Sequence, residues 1–186
     1  MRCGEPTAPS GRCLASHARL RGLRQLVAPL RFAGAGGGLV RRFQLAGDVA
    51  AGRWLAREMA DAWRVSGQSP RPLLVPVPLH RQRRRQRGFD QARWLALRLG
   101  GRLRFSVAPA ALRRARATLP QGDVRVLSRA HNVRGAFAIR RPSLVRGRAV
   151  LHVDDVFTTG ATARACADQL RLAGACSVSI LVACRA

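Results

Sequence analysis

Two adjacent carboxylates, Asp154 and Asp155, directly follow the apolar run Ala149–Val153 in a chain of 186 residues with only nine acidic side chains. Four residues past Asp154 begins Thr158-Thr159-Gly160-Ala161-Thr162, where helical periodicity also starts. A helix start offers unpaired backbone N–H groups and the positive end of the helix dipole, and therefore favours an anion. Threonine hydroxyls add donors, and glycine lets the main chain come close to a phosphate. A phosphate held there leaves the two carboxylates one sugar-width away, facing hydroxyls. The chemistry implied is recognition of a 5-phosphorylated ribose, with the phosphate on the loop and the 2- and 3-hydroxyls on the carboxylates. Taken singly, Asp and Thr are common helix caps. All six polar and glycine positions in this order, behind an apolar strand, point instead to a ligand.

The elements that must position these residues are read from periodicity. AVLHV at 149–153 is a β-type run followed by the polar turn DDVFTTG, then a helix from about Ala161 to Ala173 closed by Gly174, then a strand from Ser177 to Ala183. Strand, helix and strand in that order form a βαβ unit, which requires a parallel sheet. Upstream, Asp48 can cap a helix on which Ala51, Leu55, Met59 and Ala62 share a face, ending near Arg64. LLVPVP at 73–78 is a short buried strand, and Asp90 caps a helix that Gly100 and Gly101 are expected to stop. Residues 108–113 read as another strand before a long polar segment, 114–134. Gly34, Gly36, Gly37 and Gly38 are expected to interrupt any helix before Leu39. The chain thus divides into an irregular segment, 1–45, and an α/β domain, 46–186. Within these elements, His152 is expected to be buried and hydrogen-bonded. Cys166, Cys176 and Cys184 are expected as core thiols, and Trp54, Trp63 and Trp94 as packing residues.

VLHVDDVFTTGAT resembles the 13-residue signature of type I phosphoribosyltransferases, which bind 5-phosphoribosyl 1-pyrophosphate (PRPP). VPVPLHRQRRRQRGFDQA, RRARATLPQ and LSRAHNVRGAF resemble, in that order, further blocks of the ComF family of phosphoribosyltransferase-like proteins, covering the chain from about Leu73 to its end. The resemblance implies a parallel-sheet, Rossmann-like phosphoribosyltransferase fold that transfers or senses a phosphoribosyl group, with an open acceptor. Asp154 and Asp155 would hold the ribose hydroxyls directly or through Mg2+, with Asp155 the nearest candidate for a general base. Thr158, Thr159, Gly160, Ala161 and Thr162 would cradle the 5-phosphate. Pro78, Leu79 and His80 would meet the pyrophosphate, with Arg81 to Arg87 beside it. Arg116, Thr118, Gln121, Arg129 and Asn132 match a mobile loop that closes over the substrate and excludes water. The family also implies a link to competence and DNA uptake. Its usual cysteine-rich opening is reduced here to Cys3 and Cys13 in CGEPTAPSGRC, so the start lies too late or the module has decayed. Two thiolates do not complete a four-ligand zinc site, and zinc is not expected.

The formal charge is +25, from 34 basic residues that are all arginine. Without lysine there can be no Schiff base on the protein, no Walker-type phosphate lysine and no lysine general base. Five arginines fall within Arg81 to Arg87, beside the expected pyrophosphate site, where small-ligand phosphates account for them. The rest fits either a GC-rich codon preference or a surface for DNA or RNA. No apolar stretch reaches the roughly 20 residues a membrane helix needs, and no secretory leader is visible; a cytoplasmic protein without membrane insertion is expected.

Overall fold

A computed structural model describes residues 22–66, 71–79, 88–115 and 135–186. Strands β1 (Leu26–Val27) and β2 (Leu30–Arg31) lead into helices α1 (Gly34–Ala46) and α2 (Val49–Val65). Next come β3 (Leu73–Pro76), α3 (Gln91–Leu103), β4 (Leu112–Arg114) and β5 (Phe137–Ile139). The chain closes with β6 (Ala149–Phe157), α4 (Ala161–Leu172) and β7 (Ser177–Arg185). The main sheet runs β1–β7–β6–β3, with β2 also on β7, and every pairing in it is parallel. Val107 extends it beyond β3 through a parallel bridge to Leu74. β4 and β5 form a separate antiparallel pair.

Both faces of this sheet are covered, which explains why its strands read as continuous apolar runs. Side chains alternate along β6, so Val150 packs with Leu73, Val75, Val178 and Ile180 against Cys166, Ala167 and Leu170 of α4. Leu151 and Val153 face the other way, with Leu74 and Leu181, against Leu55 and Met59 of α2 and Leu95 and Leu99 of α3. α3 and α4 therefore leave the adjacent strands β3 and β6 on opposite faces. That divergence opens a crevice at the strands' carboxyl ends, the place where ligands gather in open α/β sheets.

The caps read from sequence are present. Asp48 accepts from the Ala51 N–H and Asp90 from the Arg93 N–H, both at 3.0 Å. Other elements differ from expectation. α1 starts at Gly34 and runs through the glycines, and α3 runs through Gly100 and Gly101 to a left-handed cap at Arg104. Close packing is the reason: a Cβ on Gly36 would lie 2.6 Å from the Arg31 carbonyl, and one on Gly100 would run into Val107. The described part of the 1–45 segment, from residue 22, supplies β1, β2 and α1 to this architecture. The strand expected at 108–113 is instead the Val107 bridge followed by β4. Trp63 is buried, but Trp54 is 41% exposed, and Cys176 is exposed while Cys166 and Cys184 are buried. No described helix is long and apolar enough to cross a membrane.

Candidate functional site

β6 continues four residues beyond Val153, pairing Asp154 with Val182, Val156 with Cys184 and Phe157 with Arg185. The carboxylates expected in a turn are therefore held inside a strand. The extension is possible because β7 is equally long and supplies ladder partners as far as Arg185. Being consecutive in a strand, the two side chains start toward opposite faces, yet their carboxyl groups come close enough to hydrogen-bond. Asp154 shares the α4 face with Val150 and His152, and its charge helps raise the Cys166 thiol on α4, whose burial is the larger cause. Asp155 shares the α1–α3 face, where its Oδ2 accepts a 2.7 Å hydrogen bond from Gln44 Nε2 of α1.

Asp154 Oδ1 accepts from the Asp155 backbone N–H at 2.9 Å. Even so, the Asp154 carboxyl holds its proton well above the usual carboxylate range. Burial is the largest cause, followed by the neighbouring charge of Asp155, with Asp90 adding a smaller push in the same direction. One turn of strand below, His152 is fully buried, and its Nδ1 lies 2.8 Å from the Val75 carbonyl. A carbonyl only accepts, so Nδ1 carries the proton. Nε2 is then buried without a hydrogen-bond partner among the described residues. Burial lowers the His152 pKa to about 4, against the opposing pull of the Val75 hydrogen bond. His152 is thus the buried, hydrogen-bonded histidine expected.

Thr158, Thr159 and Gly160 link β6 to α4, and Gly160 adopts the left-handed conformation at φ 74° as the helix N-cap. The glycine N-cap has no side chain to cap the helix. Among the described residues, Thr159 Oγ1 accepts from the Ala161 N–H at 3.4 Å, while Arg164 Nη1 donates to the Thr159 carbonyl at 3.2 Å and ties the loop to the first turn. Thr158, Thr159 and Thr162 are half-buried and Gly160 and Ala161 buried, so the start of α4 is partly shielded from solvent. Such a start is suited to an anion. Across the crevice, the Val77 N–H bonds the Val153 carbonyl at 2.8 Å, which brings half-buried Pro78 and Leu79 next to the end of β6.

The structure therefore gathers Asp154, Asp155, Thr158, Thr159, Gly160, Ala161 and Thr162 with Pro78 and Leu79 at one sheet edge. His80, Arg81 and Arg87, the loop residues Arg116, Thr118, Gln121, Arg129 and Asn132, and the cysteines Cys3 and Cys13 lie outside the described residues. Three further polar residues belong to the site's surroundings. Gln44 holds Asp155. Gln91, only 3% exposed at the start of α3, donates through Nε2 to the Gln44 carbonyl at 3.3 Å. Asp90 acts on Asp154 as well as capping α3. A polar side chain immediately after a cap, as Gln91 stands after Asp90, was the one available signal; Gln44 lies in a stretch with no clear pattern.

No protein-family model matches the chain. It is, however, 32% identical over 185 residues to the DNA utilization protein YhgH of Salmonella typhi, covering 98% of this chain and 80% of that protein. The chain belongs to the ComF/YhgH family. Within that family it is also 34% identical over 145 residues to YhgH of Escherichia coli strain K12, covering 78% of this chain and 62% of that protein. Competence protein F of Haemophilus influenzae is 30% identical over 142 residues, covering 73% of this chain and 62% of that protein. For a ComF/YhgH-family chain, the crevice between β3 and β6 is the candidate site, because the signature residues and the sheet's change of direction coincide there.

Proposed function

We propose that this chain binds PRPP with Mg2+ in the crevice between β3 and β6, on a type I phosphoribosyltransferase fold, and transfers its phosphoribosyl group in the handling of incoming DNA. The observation that supports the reading is the meeting, at one crevice, of Asp154 and Asp155 with an α4 start whose N-cap, Gly160, is in the left-handed conformation. Asp154 and Asp155 together take the ribose hydroxyls, directly or through the metal. Two carboxylates suit Mg2+, which completes its shell with water and phosphate oxygens. When bound, the metal would neutralise charge on the pyrophosphate. The N–H groups at the start of α4, with the Thr158, Thr159 and Thr162 hydroxyls, orient the 5-phosphate. Pro78 and Leu79 wall the pyrophosphate side, with His80 and Arg81 to Arg87 next in the chain. Positioning and electrostatic stabilisation of the departing pyrophosphate supply the catalysis. Acceptor-dependent release of pyrophosphate from PRPP, abolished by Asp154→Asn with Asp155→Asn, is the expected result. Equal release from that double variant overturns the assignment.

A second reading, a PRPP-responsive DNA-binding accessory protein without transferase activity, is favoured by exposed Arg53 on α2 and Arg93, Arg98 and Arg102 on α3. It predicts DNA affinity that falls steeply with salt and persists in the same double variant. DNA affinity that does not change with salt contradicts it.

A further inference from the structure

We propose that Gln44 is a positioning residue of this site: it fixes the Asp155 carboxylate by one oxygen so that the other is presented to a ribose hydroxyl. The inference rests on the reading of the crevice as a phosphoribosyl site and goes beyond the residues of the β6–α4 signature. Gln44 Nε2 donates to Asp155 Oδ2 at 2.7 Å, joining residues 111 apart in sequence. The Gln44 main chain is itself held, because Gln91 Nε2 donates to the Gln44 carbonyl at 3.3 Å and Gln91 is buried at the start of α3. α1 is thereby tied to α3 at the level where Asp155 leaves the sheet.

The chemical identity of the donor matters. The chain carries 34 arginines, yet the side-chain donor on Asp155 is the Gln44 amide. An arginine fork would occupy both oxygens of a carboxylate. A glutamine amide engages one oxygen, Oδ2, and adds no charge, so Oδ1 is not taken up by a second arm of the donor. Asp154 is held differently, by the Asp155 backbone N–H. The Asp155 side chain also hydrogen-bonds Asp154, so α1 acts on the pair through Asp155.

The test is calorimetric titration with ribose 5-phosphate and, separately, with inorganic phosphate. It compares wild type with Gln44→Met, which keeps the side-chain length without the donor, and with Gln44→Glu, which keeps the shape and turns an acceptor toward Asp155. Gln44→Met should weaken ribose 5-phosphate binding about tenfold and Gln44→Glu more, with inorganic phosphate affinity unchanged in Gln44→Met. In an Asp155→Asn background, Gln44→Met should cause no further loss, an outcome that a merely structural role does not produce. Unchanged ribose 5-phosphate affinity in Gln44→Met, or an equal loss for both ligands, overturns the role of Gln44 alone. Failure of the wild type to bind ribose 5-phosphate overturns the phosphoribosyl reading itself.

Discussion

His152 and Asp154 stand two residues apart on the same face of β6, and burial moves their proton affinities in opposite directions. Each is pushed toward its neutral form: the imidazole pKa falls to about 4, and the carboxyl is raised well above its usual value of 3.8.

For His152 the consequence is acid sensitivity. The unfolded chain protonates this imidazole near pH 6.5, whereas the folded chain resists until about pH 4. Its contribution is fully present above pH 6.5 and is lost as the pH falls through that interval, amounting to about 3 kcal/mol at about 1.4 kcal/mol per pH unit. Urea unfolding measured from pH 7.5 to 4 should show this slope, and His152→Leu should flatten it. An unchanged slope in the variant would assign the acid sensitivity to other groups.

For Asp154 the sign reverses. A raised carboxyl pKa means that the folded state holds the proton more tightly than the unfolded one. Stability is therefore lost as the pH rises above the ordinary carboxylate range. Asp154→Asn should melt at a higher temperature than wild type at pH 7, and the gain should vanish as the pH falls below 3.8, where Asp154 becomes protonated in both states. The same change should weaken PRPP about ten- to a hundredfold, the usual worth of a hydrogen bond to a charged group. Paired melting and binding curves check both halves.

Gly160 carries a backbone requirement as well as a contact surface. At φ 74°, alanine is strained by about 1 kcal/mol. Gly160→Ala should lower stability by that amount and weaken inorganic phosphate binding more than the stability loss alone explains. Phosphate affinity equal to wild type would remove Gly160 from the cradle.

The β6–α4–β7 unit and the two capped helices were legible because their signals are local: an apolar run, a cap, a 3.6-residue period. The continuation of β6 through Phe157 was not, since it depends on ladder partners from β7 at Val182 to Arg185. With the continuation missed, Asp154 and Asp155 read as neighbours on a turn, although both lie within β6. The glycine-rich start of α1 misled in the same way. Helix propensity counts against Gly34 to Gly38, but contact with the β2 backbone at Arg31 rewards a missing Cβ at Gly36. Gln44 was invisible for the related reason that its role depends on a partner 111 positions away.

The central claim is that Asp154, Asp155 and the start of α4 form a PRPP site. Calorimetric titration of the wild-type chain with PRPP and Mg2+, beside the Asp154→Asn, Asp155→Asn double variant, tests it most directly. The account predicts a saturable isotherm for wild type and a loss of about a hundredfold or more in the double variant, from two charged contacts removed together. No binding by the wild type, or the same isotherm from both proteins, would contradict it.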